Sequence, residues 1–243
     1  MTWWSLLGSG EFQPWSEAAD RWLLGRAEGD GSVLILPTAS APEGDEVFDR
    51  WGTMGLEHFA TMEVPARVVP LKARSDASDR ELVALLDRAS VVYFSGGNPA
   101  YLARTLEDSP FWNRLLERLV EGMGYAGCSA GVACLTETTF DSASETFDAM
   151  YATGLGLIPR TVFSPHWDIV DSWIPGASDF ILGSVPEGYT FVGLDEDTAM
   201  LGDGGSWEVS GKSGIHVQVD GERTTYREGD RFELPLLDER VDG

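Results

Sequence analysis

The chain has 243 residues, 43% hydrophobic and 23% charged, the mixture of a globular protein that buries its core without disulfides or a structural metal. Seventeen basic against forty acidic residues leave a net charge of −23, a solvated acidic field that repels nucleic acid and anionic membrane surfaces and excludes both as expected partners. No apolar run reaches the roughly 18 residues of a membrane span, the start has no basic signal-peptide region, and Cys128 and Cys134 make no disulfide framework, so a cytoplasmic protein is expected.

Trp3 to Leu7 reads as a first strand, closed by Gly8-Ser-Gly10. A helix is expected from Pro14 to about Arg26, where Trp15, Ala18, Ala19, Trp22 and Leu23 recur at near-helical spacing. Ser32 to Pro37 is a buried-strand run, Glu43 to about Met62 a second helix, and Ala66 to Leu71 a third strand. Ser78 is placed as N-cap of a helix to Arg88, with Glu81 at capping-box spacing. Ser90 to Phe94 is a strand, and Asn98 to about Met123 is helical in two pieces, broken near Ser109-Pro110. Gly124 to Gly127 can form a short strand, and Val132 to Glu137 can start a helix of about ten residues. From Tyr189 to about 235 the segments are short and separated by Asp203-Gly, Ser210-Gly, Ser213-Gly and Asp220-Gly, which is hairpin chemistry. Strands alternating with helices predict one domain over 1–243: a doubly wound, mostly parallel α/β sheet, flavodoxin-like in kind, with C-terminal hairpins extending or flanking it.

Gly127-Cys-Ser-Ala-Gly131 fits the Gly-x-Ser-x-Gly nucleophile elbow, in which the central serine occupies a strained turn between strand and helix. Small-residue turns also arise by chance in a chain with 28 glycines. Phe94-Ser-Gly-Gly-Asn-Pro99 closes the preceding strand; Gly96 and Gly97 could bare amides that join the Ala130 N–H in an oxyanion hole, or the segment is an ordinary helix start capped by Asn98. Of three histidines, His58 and His216 read as packing or surface residues, whereas His166, in Phe163-Ser-Pro-His-Trp167, is the leading base. Glu196, Asp141 and Glu145 are candidates for the acid that orients it, and spacing does not choose among them. Cys128 reads as a small buried hydrophobe facing away from Ser129. No zinc-like spacing and no phosphate loop exist, so no metal or cofactor is expected. Nine tryptophans, crowded toward the N-terminus, read as core or a homodimer face.

Gly96-Gly-Asn98, the elbow, Ser164-Pro-His166 and Gly193-Leu-Asp-Glu-Asp-Thr-Ala199, in that order over roughly Trp4 to Val219, resemble the cyanophycinase and dipeptidase E family of serine peptidases. The resemblance implies a class I glutamine amidotransferase-like fold in which serine replaces the usual cysteine. It implies Ser129 as nucleophile, His166 as base, Glu196 as the preferred acid with Asp141 in reserve, and Gly97 and Ala130 as oxyanion donors. Members that cleave beside aspartate often carry arginines just after the histidine; here none follows before Arg223. Trp167, Trp173, Asp168 and Asp171 therefore suit an apolar or cationic group better than a carboxylate, or else merely decorate a loop; Asn98, Trp167 and Asp168 are the expected substrate-binding residues. The function expected is amide hydrolysis of small peptides from one end, with esterase action close behind. The competing reading is a catalytically silent binding protein for a small molecule or peptide on the same fold.

Overall fold

The computed structural model describes residues 2–144 and 150–236. Five strands, β1 (Trp3–Leu7), β2 (Val33–Leu36), β3 (Ala66–Val68), β4 (Val91–Phe94) and β5 (Gly124–Cys128), run parallel in the spatial order β1-β5-β4-β2-β3. Successive side chains of a strand face opposite ways, and both faces here are covered. Trp4, Leu6, Leu34, Leu36, Val92, Phe94 and Tyr125 enter one core layer beneath α4 (Pro99–Leu106) and α5 (Pro110–Val120). Leu7, Val33, Ile35, Val91, Tyr93, Ala126 and Cys128 enter the other, beneath α1 (Glu17–Leu24) and α2 (Asp45–Thr61). This is the doubly wound sheet that the alternation of elements predicts.

The break at Ser109-Pro110 falls where expected, because Ser109 Oγ accepts the Trp112 N–H while Pro110 opens α5. The third helix, α3 (Arg80–Leu85), is capped one residue later than expected: Asp79 Oδ1 accepts the Glu81 N–H, and Ser78 closes a short 3-10 turn. The expected helix through Glu137 is a single turn, α6 (Ala130–Ala133). The carbonyls of Cys134, Leu135, Thr136 and Glu137 instead accept amides of Leu155, Leu157, Gly156 and Gly154, so a tertiary pairing takes over the backbone there.

β6 (Thr138–Phe140) and β7 (Tyr151–Thr153) make a small hairpin. β8 (Thr161–Pro165) and β9 (Thr190–Leu194) are parallel neighbours in a second sheet, completed by the hairpin β12 (Gly214–Val219) and β13 (Glu222–Arg227) in the order β13-β12-β9-β8. Phe163, Val192, Leu194 and Ile215 of this sheet share the α4–α5 core layer. β10 (Thr198–Gly202), β11 (Ser206–Gly211) and β14 (Arg231–Glu233) extend the first sheet beyond β1 with antiparallel strands, making eight in all. The hairpins thus divide between two sheets. Much of the N-terminal tryptophan crowd is used within the chain: Trp4 is buried against Tyr125, Trp3 meets Trp22 edge-on, Arg26 lies 4.2 Å over the Trp22 ring, and Trp15 Nε1 donates to the Gly10 carbonyl. Among the described residues no helix is long and apolar enough to cross a membrane.

Candidate active site

Ser129 stands between β5 and α6 with φ 51° and ψ −104°, a conformation that costs on the order of 1–3 kcal/mol and is held by its surroundings. Its N–H donates to the Leu7 carbonyl at 3.0 Å, and its own carbonyl accepts the Val132 and Ala133 amides. A side chain on Gly127 would strike the Gly131 carbonyl, and one on Gly131 the Phe94 carbonyl. The flanking glycines therefore let α6 press against the ends of β4 and β5. With α6 only one turn long, any anion beside Ser129 would be held by individual amides rather than by a long helix dipole.

His166 follows β8 and also has positive φ, 56°. Its Nε2 lies 2.9 Å from Ser129 Oγ and its Nδ1 3.0 Å from Glu196 Oε1. The tautomer with the proton on Nδ1 donates to Glu196 and leaves Nε2 to accept from the serine hydroxyl. Glu196 lies in the turn that carries the chain from β9 in the small sheet to β10 in the large one, and its N–H donates to Asp168 Oδ1 at 2.9 Å. The structure thus gathers Ser129 from the end of one sheet, His166 from the end of the other and Glu196 from the turn that joins them.

The flanking acids are engaged elsewhere. Asp195 accepts from Ser213 Oγ and the Gly214 N–H and meets His216 Nε2 at 3.0 Å. Burial raises its pKa, but the hydrogen bonds from His216 and Ser213 outweigh this and leave it below the usual value. Asp197 pairs with Lys212 at 2.8 Å. Asp141 does not meet His166: it accepts from Asn98 Nδ2 at 2.6 Å and pairs with Arg104 at 3.4 Å. The Asn98 bond, with help from Arg104, holds its carboxyl below the usual range. Glu145 lies outside the described residues.

The two glycine amides differ. The Gly96 N–H donates to Glu11 Oε1 at 2.8 Å, which takes it out of the expected oxyanion set. Gly97 has φ 138° and packs so closely on the Ala39 backbone that a side chain there would clash. Neither its amide nor that of Ala130, first in α6, has a hydrogen-bond acceptor among the described residues. Asn98 caps α4 through the Tyr101 N–H and is otherwise held by Asp141.

Trp167, expected at the substrate crevice, is buried against Phe191, ring centroids 4.7 Å apart, and covers Gly193. Trp173 occupies the exposed position instead: it is 58% exposed, with its ring 4.9 Å from that of His166. Asp168 is spent on the Glu196 amide and Asp171 on Ser178 at the next helix start. His58, read as packing, is buried on Asp20 at 2.7 Å, and burial raises the Asp20 pKa. Glu11 carries no motif of its own and escaped the sequence reading; its only signal is an acid placed at once after the Gly8-Ser-Gly10 loop. Among the described residues no group of three or more His, Cys, Asp or Glu is disposed to hold a metal.

A serine in a strained strand-to-helix turn, within reach of an imidazole that a carboxylate faces, on a doubly wound sheet, is the arrangement of a serine-type hydrolase. The chain belongs to peptidase family S51, whose family model matches residues 5–209. It is 25% identical over 208 residues to the cyanophycinase of Geminocystis herdmanii (strain PCC 6308), covering 81% of this chain and 72% of that one. It is 30% identical over 205 residues to the cyanophycinase of Synechococcus elongatus, covering 81% of this chain and 61% of the relative, so it spans less than two thirds of that protein. The crystal structure of a peptidase from an acI-B1 actinobacterium superposes with a TM-score of 0.87 at 28% identity, over 96% of this chain and 97% of the other.

Proposed function

We propose that the chain is a small-peptide exopeptidase working through Ser129, His166 and Glu196. The observation that carries this reading is the unbroken run from Ser129 Oγ to His166 (2.9 Å) and from His166 to Glu196 (3.0 Å). Ser129 Oγ attacks the scissile carbonyl carbon as its proton passes to His166 Nε2, and Glu196 stabilises the imidazolium. The Gly97 and Ala130 amides hold the oxyanion. Collapse breaks the C–N bond while Nε2 returns the proton to the leaving amine, and water then releases the acyl group by the same steps. Activated esters would be cleaved by the same groups.

On the substrate side, the exposed Trp173 face beside His166 suits an apolar or aromatic group of a peptide. No arginine follows His166 before Arg223, and Arg104 is tied to Asp141, so a substrate carboxylate has no dedicated partner there. Both cysteines are free and buried, which fits a reducing compartment such as the cytoplasm. A fluorophosphonate probe should label the folded protein at Ser129, and Ser129→Ala should abolish labelling, with or without EDTA. A folded wild type that takes no label would favour a silent binding protein; loss of labelling in EDTA would contradict a metal-free mechanism.

A further inference from the structure

The end of β1 and the loop that leaves it support two of the turns that carry the site. The Leu7 carbonyl accepts the Ser129 N–H, the Gly8 N–H donates to the Thr198 carbonyl at 2.9 Å, and Ser9 Oγ accepts the Asp197 N–H at 3.3 Å, so the nucleophile turn and the turn bearing Glu196 both rest on it. Glu11 ends this loop and is only 4% exposed. Its Oε1 accepts the Gly96 N–H at 2.8 Å and its Oε2 the Cys128 thiol at 2.9 Å. The Cys128 thiol pKa is raised by burial and then by the charge of Glu11, which keeps the S–H in place as a donor. Gly96 lies against the nucleophile: a Cβ built there would stand 3.6 Å from Ser129 Cβ.

We propose that Glu11 is a positioning residue, resting on the serine-peptidase reading above: by clamping the Gly96 amide to the end of β5, it sets the peptide plane from which the Gly97 N–H meets the oxyanion. One carboxyl bridges two chain segments 85 and 117 residues away, the glycine turn and the strand that delivers Ser129. A buried carboxyl is costly unless its oxygens are satisfied, and here each faces a donor. The clamp also consumes the Gly96 amide, so the turn offers one donor rather than two competing ones. Oxyanion donors act by standing in place before charge develops, and small displacements weaken them.

The test compares wild type with Glu11→Gln and Glu11→Met, two side chains of similar length. Glutamine keeps an oxygen for the Gly96 N–H and turns its amide toward the weakly accepting Cys128 sulfur. Methionine fills the space without an oxygen acceptor. The readout is the second-order rate of fluorophosphonate labelling, since the phosphoryl oxygen occupies the oxyanion position as the Oγ–P bond forms and fluoride leaves. Glu11→Met should label at least about tenfold more slowly and Glu11→Gln within about threefold of wild type, with thermal melts run alongside. A merely structural role would lower Tm in Glu11→Met and leave its labelling rate at the wild-type value, which would overturn the proposal, as would equal slowing in both variants. If Glu11→Met does not fold, a labelling rate for folded Glu11→Gln more than about tenfold below wild type overturns it, and a rate within threefold supports it. Wild type that takes no label would sink the peptidase reading itself, whereas labelled wild type with unaffected Glu11→Met sinks only the role of Glu11.

Discussion

At the residue scale the decisive question is which carboxylate serves His166. Glu196 meets Nδ1 at 3.0 Å, whereas Asp141 is held by Asn98 and Arg104. An imidazole deprived of its acceptor loses the tautomer preference that leaves Nε2 free to take the serine proton. Glu196→Gln is therefore expected to lower kcat by on the order of 100-fold or more in folded protein. Asp141→Asn should reduce kcat by less than about tenfold, because it disturbs contacts with Asn98, Arg104 and the Ala143 amide rather than any with His166. Steady-state kinetics on the two variants checks this, and a reversed order would hand the orienting role to Asp141. Resemblance pointed to Glu196, but the spacing of the acids did not, because a hydrogen bond across 30 residues depends on where two turns meet.

At the element scale the segment after β8 has two faces with different work. Trp167 turns inward onto Phe191 and Gly193, anchoring the His166 turn to β9, while Trp173, on the short helix Val170–Trp173, stands exposed beside the imidazole. Tyr151, Ile174 and Phe180 are also exposed, and Tyr151 reaches Ser184 at 2.9 Å, joining the β6–β7 hairpin to the helix Ala177–Ser184. An aromatic face there should contribute about 1–2 kcal/mol to a bound apolar group. Trp173→Ala is thus expected to reduce kcat/KM about tenfold for peptides with an aromatic residue flanking the scissile bond, and far less for alanine peptides. Equal losses on both substrates would mean that Trp173 only packs on His166. Sequence pattern singled out both tryptophans but could not separate them, since burial is decided by what packs opposite each ring.

At the scale of the whole molecule the acid excess sets the field that substrates meet. With −23 formal charges and only two lysines, cationic peptides should be drawn in and acidic ones repelled. The range of that field falls from about 30 Å at 0.01 M salt to about 8 Å at 0.15 M. Between those conditions kcat/KM for lysine- or arginine-bearing peptides should fall several-fold, while that for acidic peptides should rise. A salt series on matched peptides reads this directly, and salt-independent rates for both would show that the charge is spread too evenly to steer.

Much of this protein is determined locally, and the sequence alone was enough to state it. Strand and helix alternation, the Ser109-Pro110 break and the Gly-x-Ser-x-Gly turn depend on neighbours a few residues apart, where periodicity, caps and steric limits act. The doubly wound sheet follows from those elements because each strand has two apolar faces to cover. Tertiary structure alone decided the rest. It shortened α6 to one turn, because carbonyls of Cys134 to Glu137 found amides 17 to 22 residues on, between Gly154 and Leu157. It sent β12 and β13 to a second sheet and β10 and β11 to the first, a choice that turn residues do not encode. It also committed the Gly96 amide to Glu11, which reaches across from the end of the first loop, and left the Gly97 amide without an acceptor among the described residues. Such pairings are settled by which donors and acceptors meet when distant segments are buried together, and no local pattern carries that information.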